Sequence, residues 1–299
     1  MWNFNYRAHT LLTAPAKQKS ELWRLGLGLV FVVTIAFFLF GLYNGAVFAL
    51  FNMLEIPLAR SIEEIGSTAS SVVTLLGGFS MLSIAVFMVV LTLHRRPVRT
   101  IFGPVRLAVP QFVRVCFLMG LLLLALFILP PWGYGAPLVS NMAIGKWIAI
   151  LPLTLFAVLI QTSAEEILFR GYFQQQLGAR FKSPLVWMIV PSALFGLLHY
   201  DPATAGENAY IIVFWAFMFG VAMADLTARS GSLGPAMAVH FINNVSAILI
   251  ISYPGYLDGA ALFVLPFGME NAEQLRAWLP VDFALMCVSW LVARLAIRA

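Results

Sequence analysis

Polar residues in this chain fall mostly between long apolar stretches rather than alternating with them. Eight apolar runs can be marked. They begin near Leu22, Ser71, Val109, Lys146, Pro184, Ala209, Leu233 and Val281, and end near Leu50, Leu93, Leu129, Ser163, Leu198, Leu226, Ile251 and Ile297. A hydrocarbon layer about 30 Å thick is crossed by roughly 20 helical residues, so the runs predict an all-α, polytopic membrane protein of about eight helices. The seams carry helix breakers: Pro97, Pro104, Pro130 with Pro131, Gly133, Pro137, Pro202, Gly231 and Pro254. The first run is far longer than a signal-peptide core and is expected to stay as an uncleaved helix. Residues 255–280 form the longest loop on the outer side, with partly amphipathic character.

Composition agrees with lipid as the solvent. Of the 299 residues, 61% are hydrophobic and 10% charged, against about 25% charged in soluble domains. The net charge of +5 does not indicate nucleic acid, because the basic residues sit at the ends of apolar runs rather than in one patch. With the N-terminus placed in the cytoplasm, fifteen Lys and Arg fall on the inner side. Only Arg60, Lys146 and Arg276 fall on the outer side. That asymmetry predicts both termini inside and an even number of spans. Cys116 and Cys287 each lie within an apolar run and read as buried thiols. A single integral domain over 1–299 is expected, with no internal repeat and no low-complexity tract.

Ionisable groups inside membrane helices are costly, so each is a functional candidate. Three clusters stand out: Glu165-Glu166 with Arg170, Phe195 with His199, and His240 with Asn243-Asn244. If helix 4 continues to about Arg180, Glu165 lies about 22 Å from that end at 1.5 Å per residue. His199 lies about 24 Å from Ser183, and Asn244 about 20 Å from Gly231, on the same rise. Helices 4, 5 and 7 thus carry catalytic-type groups at one depth. Glu166 and Arg170 stand one turn apart and can neutralise each other, which marks them as supporting residues. Glu165 points about 100° away and has no evident local partner; such a carboxylate is poised to exchange a proton.

Blander readings compete. Phe195 alone would be core packing, a lone His packs readily, and Asn residues can join membrane helices. Asp225 and Arg229 read as a structural pair, and His9 and His94 as ordinary cytoplasmic residues. It is the combination that points to chemistry. Glu165 and a His can hold and deprotonate water. A second His and an Asn can stabilise an oxyanion. Alternatively, Glu165, His199 and His240 could ligate zinc and leave a position open for water. There is no His-Glu-x-x-His helix and no Gly-x-Ser-Gly nucleophile segment.

At these residues the chain resembles the CPBP family, the type II CAAX prenyl endopeptidases and their bacteriocin-processing and immunity-type bacterial relatives. The resemblance rests on Glu-Glu-x-x-x-Arg at Glu165–Arg170, Phe-x-x-x-His at Phe195–His199 and His-x-x-x-Asn at His240–Asn244, in that order. It covers about residues 145–250, the expected catalytic core of helices 4–7. The stretch Ser230-Gly-Ser-Leu-Gly-Pro is similar to the bacterial members. The resemblance implies an intramembrane endopeptidase in which Glu165 and His199 activate water, and His240 and Asn244 stabilise the oxyanion. Glu166, Arg170 and Phe195 then support them. Either a metal-free glutamate mechanism or a metalloprotease is compatible; the metal-free one is favoured, since one Glu and two His need not sit close enough to be ligands. The implied partners are membrane lipid and a membrane-associated peptide or protein substrate, and the implied location is a bacterial inner membrane. The depths suggest a buried cavity approached from the cytoplasmic side.

Two other classes fit parts of the pattern. A proton-coupled transporter would use intramembrane Glu and His as a relay, but inverted repeats and paired broken helices are missing. A non-catalytic scaffold or immunity-type factor would share only the fold. Replacing Glu165 at unchanged protein level separates the readings.

Overall fold

The structure is a computed structural model that describes residues 6–55, 66–129 and 137–298. Arg60, Pro130, Pro131 and Gly133, used above as topology markers, lie outside the described residues. Each of the eight apolar runs forms a helix. Six are long and apolar enough to cross a membrane: α1 (Leu22–Met53), α2 (Ala69–Thr92), α3 (Val105–Ile128), α4 (Ile144–Arg180), α6 (Pro202–Ser230) and α8 (Ala272–Ile297). Two are shorter, α5 (Leu185–Leu197) and α7 (Gly234–Ile250). The chain is an all-α polytopic membrane protein. Its outer face is apolar because hydrocarbon offers no hydrogen bonds; Phe37, Phe38 and Leu295 are 76%, 66% and 75% exposed.

Boundaries differ from the marked runs at α4, which continues to Arg180 rather than ending near Ser163, at α6, which starts at Pro202 rather than near Ala209, and at α8, which starts at Ala272 rather than near Val281 and runs through Pro280. Asn271 explains the early start: its side chain accepts from the backbone N–H of Gln274, an N-cap that Asn favours. The last part of the expected outer loop, from Ala272, is therefore helix. The remainder is tied by a three-stranded patch of β1 (Val139–Ser140), β2 (Ile251–Ser252) and β3 (Phe263–Val264), in the order β1-β3-β2.

Close helix contacts set the inner bundle. Gly196 on α5 and Gly220 on α6 leave no room for side chains: a Cβ on Gly196 would meet the Val213 carbonyl at 2.8 Å, and one on Gly220 would meet Ser192 at 3.0 Å. Small residues let membrane helices approach this way, and the contact brings Phe195 and its neighbours into the core. Gly231 ends α6 in the left-handed region, at φ 72°, where glycine is unstrained.

The N-terminal segment is not a free tail. His9–Thr13 is a short helix whose His9, Leu12 and Thr13 are buried. His9 stacks at 4.3 Å on Trp187, and the Leu12 carbonyl accepts from Gln175 at 2.7 Å. The Tyr6 hydroxyl donates to Asp225, which Arg229 and Trp290 also reach. His94 hydrogen-bonds Tyr172 at 2.9 Å and Gln176 at 3.0 Å. Reading His9 and His94 as ordinary cytoplasmic residues is therefore corrected. Burial lowers both imidazoles to about 4, with the Arg96 charge adding to the effect at His94. Gln174, Gln175 and Gln176 are 0–2% exposed and bond His9, Leu12 and His94.

Candidate active site

Local backbone geometry comes first. α4 changes from α-helical to π-helical winding immediately after Glu166, over Ile167–Gln174, and α7 does so immediately after Asn244, over Val245–Ile250. A π-turn shifts the phase of all later side chains, and such turns concentrate at functional sites. α5 covers only roughly 20 Å at 1.5 Å per residue, less than the hydrocarbon thickness of about 30 Å. It stops two residues before His199, so His199 sits in a turn beyond the helix end and is exposed.

Glu165, Glu166, Arg170, His240 and Asn244 come together. Oε2 of Glu165 lies 3.5 Å from His240 Nε2. His240 Nδ1 donates to Glu166 Oε1 at 2.8 Å. Arg170 Nη1 lies 3.2 Å from that same Oε1, and its Nη2 donates to the Gly220 carbonyl at 3.2 Å. Glu166 and Arg170 are 0% and 1% exposed, and Phe195 is 3% exposed. The Arg170 guanidinium sits 4.8 Å over the Phe195 ring. Phe195 and Phe219 stand edge-on to the His240 ring at 6.2 and 5.1 Å, so the imidazole is walled by aromatic carbon.

His199 joins from the other side of Phe195. Its ring centroid is 4.6 Å from that of Phe195, and its Nδ1 donates to the Phe195 carbonyl at 2.8 Å. That bond fixes the tautomer and leaves the Nε2 lone pair outward. No direct contact joins His199 to Glu165 or His240 among the described residues. Glu165, His199 and His240 do not form a ligand set either. Among the described residues no group of three or more His, Cys, Asp or Glu side chains could hold a metal ion, so the residues present do not fit a zinc centre of the kind considered above.

Glu165 is not without a partner, and this corrects the expectation. Gln161, one turn earlier on α4, donates from Nε2 to Glu165 Oε1 at 2.7 Å. Gln161 Oε1 in turn accepts from Asn244 Nδ2 at 2.8 Å. Asn243 Nδ2 donates to Asn244 Oδ1 at 3.1 Å. The i, i−4 spacing of Gln161 and Glu165 was a legible signal, but a glutamine in an apolar run carries no charge to draw notice.

Glu166, Arg170, Gln174, Gln175 and Gln176 are all buried. Exposure lies at His199 and partly at Glu165, Asn243 and Asn244. Tyr256 lies in the loop after α7. Lost hydration raises its phenol first, followed by the charges of Asp201 and Glu165. A separate cavity of about 290 Å³, lined by Ser67, Thr68, Asn141 and Lys146 among others, sits at the start of α2 and α4 and holds none of these residues.

Comparison with known proteins agrees with the motifs. The family described as Type II CAAX prenyl endopeptidase Rce1-like matches residues 147–246. A relative from Bacillus subtilis (strain 168), described as "Uncharacterized protein YyaK", is 28% identical over 190 residues, which is 61% of this chain and 62% of the relative. The chain thus matches less than two thirds of that relative's length. No solved structure matches. Over residues 147–246, therefore, the chain is similar to the Rce1-like type II CAAX prenyl endopeptidases, the family to which its three motifs point.

Proposed function

We propose that this protein is an intramembrane endopeptidase that hydrolyses a peptide bond in a membrane-associated peptide or protein. The observation that carries the reading is Glu165 Oε2 facing His240 Nε2 at 3.5 Å, with the far end of each group already tied, to Gln161 and to Glu166. Glu165 is the general base. Its Oε2 takes a proton from water while the resulting hydroxide adds to the scissile carbonyl. His199 holds that water from the exposed flank through its Nε2 lone pair. His240 receives the proton from Glu165, and Glu166 balances the imidazolium, as a carboxylate does for the histidine of a hydrolytic triad. The imidazolium and the second N–H of Asn244 stabilise the oxyanion. The C–N bond then breaks as the leaving amine takes up the proton, giving an acid and an amine.

Bacterial location and orientation belong to the same proposal. The Bacillus subtilis relative and the basic residues near both termini support a bacterial inner membrane with both termini in the cytoplasm. The substrate then reaches Glu165 from lipid or from the outer side, along the flank of His199. The test is cleavage of membrane-anchored peptides in proteoliposomes by wild type and Glu165→Gln, each with and without a strong chelator. Cleavage that disappears in the variant and persists with chelator is expected. Cleavage retained by Glu165→Gln overturns the role of Glu165, and chelator sensitivity overturns the metal-free mechanism.

A further inference from the structure

Gln161 belongs to none of the three motifs, yet it touches two of the residues they supply. Gln161 is 7% exposed, and both ends of its carboxamide are engaged. The direction of those bonds is dictated by chemistry. An ionised carboxylate only accepts hydrogen bonds, so the amide nitrogen of Gln161 must face Glu165 and its oxygen must face away. That oxygen then requires a donor, and Asn244 can supply one only through Nδ2. Asn244 Oδ1 is left to accept from Asn243. Three carboxamides, Asn243, Asn244 and Gln161, thus form a one-way chain that ends on Glu165, at successive distances of 3.1, 2.8 and 2.7 Å.

We infer that Gln161 is the positioning residue of this active site, fixing Glu165 through Oε1 and Asn244 through Nδ2 at once. The inference rests on the protease reading above for its meaning, though not for its geometry. Glu165 has two oxygens and only one may be free. With Oε1 held by Gln161, the carboxylate presents Oε2 to His240 and to water. With one Asn244 N–H on Gln161, the other is held in a fixed direction, available to an oxyanion. A single neutral side chain therefore sets the relative orientation of the base on α4 and the oxyanion donor on α7. The groups with charge or titration that face Glu165 besides Gln161 are His240 from α7, Arg170 from its own helix and Tyr256 from the following loop. None of these contacts Oε1, so none can substitute for Gln161.

The test compares wild type, Gln161→Met, Gln161→Asn and Gln161→Glu in the proteoliposome assay. Methionine keeps the length and apolar volume and removes both hydrogen bonds. Gln161→Met is expected to lose roughly 10²-fold in kcat, on the scale of one lost site donor, with KM within a few-fold and thermal stability near wild type. Gln161→Met and Asn244→Ala are expected to be strongly non-additive in kcat, since both break one chain. Additive losses, or a loss confined to KM or to stability, overturn the proposal. A second readout does not depend on cleavage. The infrared carboxylate band removed by Glu165→Gln is expected to shift in Gln161→Met, which has no donor for Oε1, and to lie nearer its wild-type position in Gln161→Asn, which keeps an amide N–H. An unmoved band overturns the positioning role. A shifted band in a protein that cleaves nothing upholds the Gln161 contact and retires the protease reading instead.

Discussion

Glu166 accepts a hydrogen bond from His240 at 2.8 Å, joining residues 74 positions apart through a contact that is closed to solvent. The same oxygen meets Arg170 at 3.2 Å. Glu166 therefore does more than neutralise its helix neighbour: it orients the imidazole that faces Glu165. An arginine that balances the carboxylate and a carboxylate that aims a histidine form a short buried series behind the reacting groups.

Glu166→Gln keeps the shape but removes the charge that supports a His240 imidazolium. A fall in kcat of roughly 10²–10⁴-fold is expected, by the logic of a triad that loses its carboxylate, with the fold retained. Single-turnover cleavage alongside thermal unfolding in detergent checks it. A kcat within a few-fold of wild type would remove Glu166 from the mechanism.

Arg170→Ala leaves Glu166 buried opposite only a histidine. Breaking a buried ion pair costs about 3–5 kcal/mol, so a large loss of thermal stability or yield is expected. Arg170→Lys is expected to recover only part of it, because lysine cannot reproduce the second bond to the Gly220 carbonyl with the same fork geometry. Equal stability of both variants to wild type would show that the pair contributes little.

Glu165→Ala and His199→Ala are expected to abolish cleavage while the protein remains folded, since Glu165 is partly exposed and His199 lies beyond its helix end. Asn244→Ala is expected to lower kcat by roughly 10²–10³-fold, the usual loss for one oxyanion donor. Steady-state assays at matched protein level decide. Full activity in His199→Ala would mean that water is held by Glu165 alone.

Stability should depend on acid through the N-terminal dock. His9 and His94 are held neutral with folded values of about 4, against about 6.5 in the unfolded chain. Above pH 6.5 both states are neutral and neither residue contributes. Between pH 6.5 and 4 the unfolded chain binds more protons, so stability falls as pH falls, by on the order of 3 kcal/mol per residue at most. Melting temperature measured across pH 7 to 4 should drop in wild type and flatten in His9→Gln with His94→Gln. An unchanged pH slope in the double variant would assign the acid sensitivity elsewhere.

Much of the protein could be read from the chain itself because lipid punishes exceptions so strongly. The runs from Leu22, Val109 and Ala209 had to be helices, as few other structures satisfy the backbone in hydrocarbon. Glu165, Glu166, Arg170, His199, His240 and Asn244 had to be noticed because charge and strong polarity are rare there. Helical period alone put Glu166 beside Arg170. The start of α8 was less legible, since Asn271 marks it with a cap while the apolar signal begins only later.

Only the tertiary structure decided which polar groups meet. Depth along a helix fixes one coordinate of a side chain; rotation, tilt and the π-turns after Glu166 and Asn244 fix the rest. For that reason the sequence could not reveal that His240 would bridge both glutamates, that Gln161 would bind Glu165 and Asn244 together, or that Gln174–Gln176 would be buried against His9, Leu12 and His94. Hydrophobic patterning reports each helix's solvent, a property of single residues. A hydrogen bond between two helices depends on the packing of both, and no single stretch of sequence contains it.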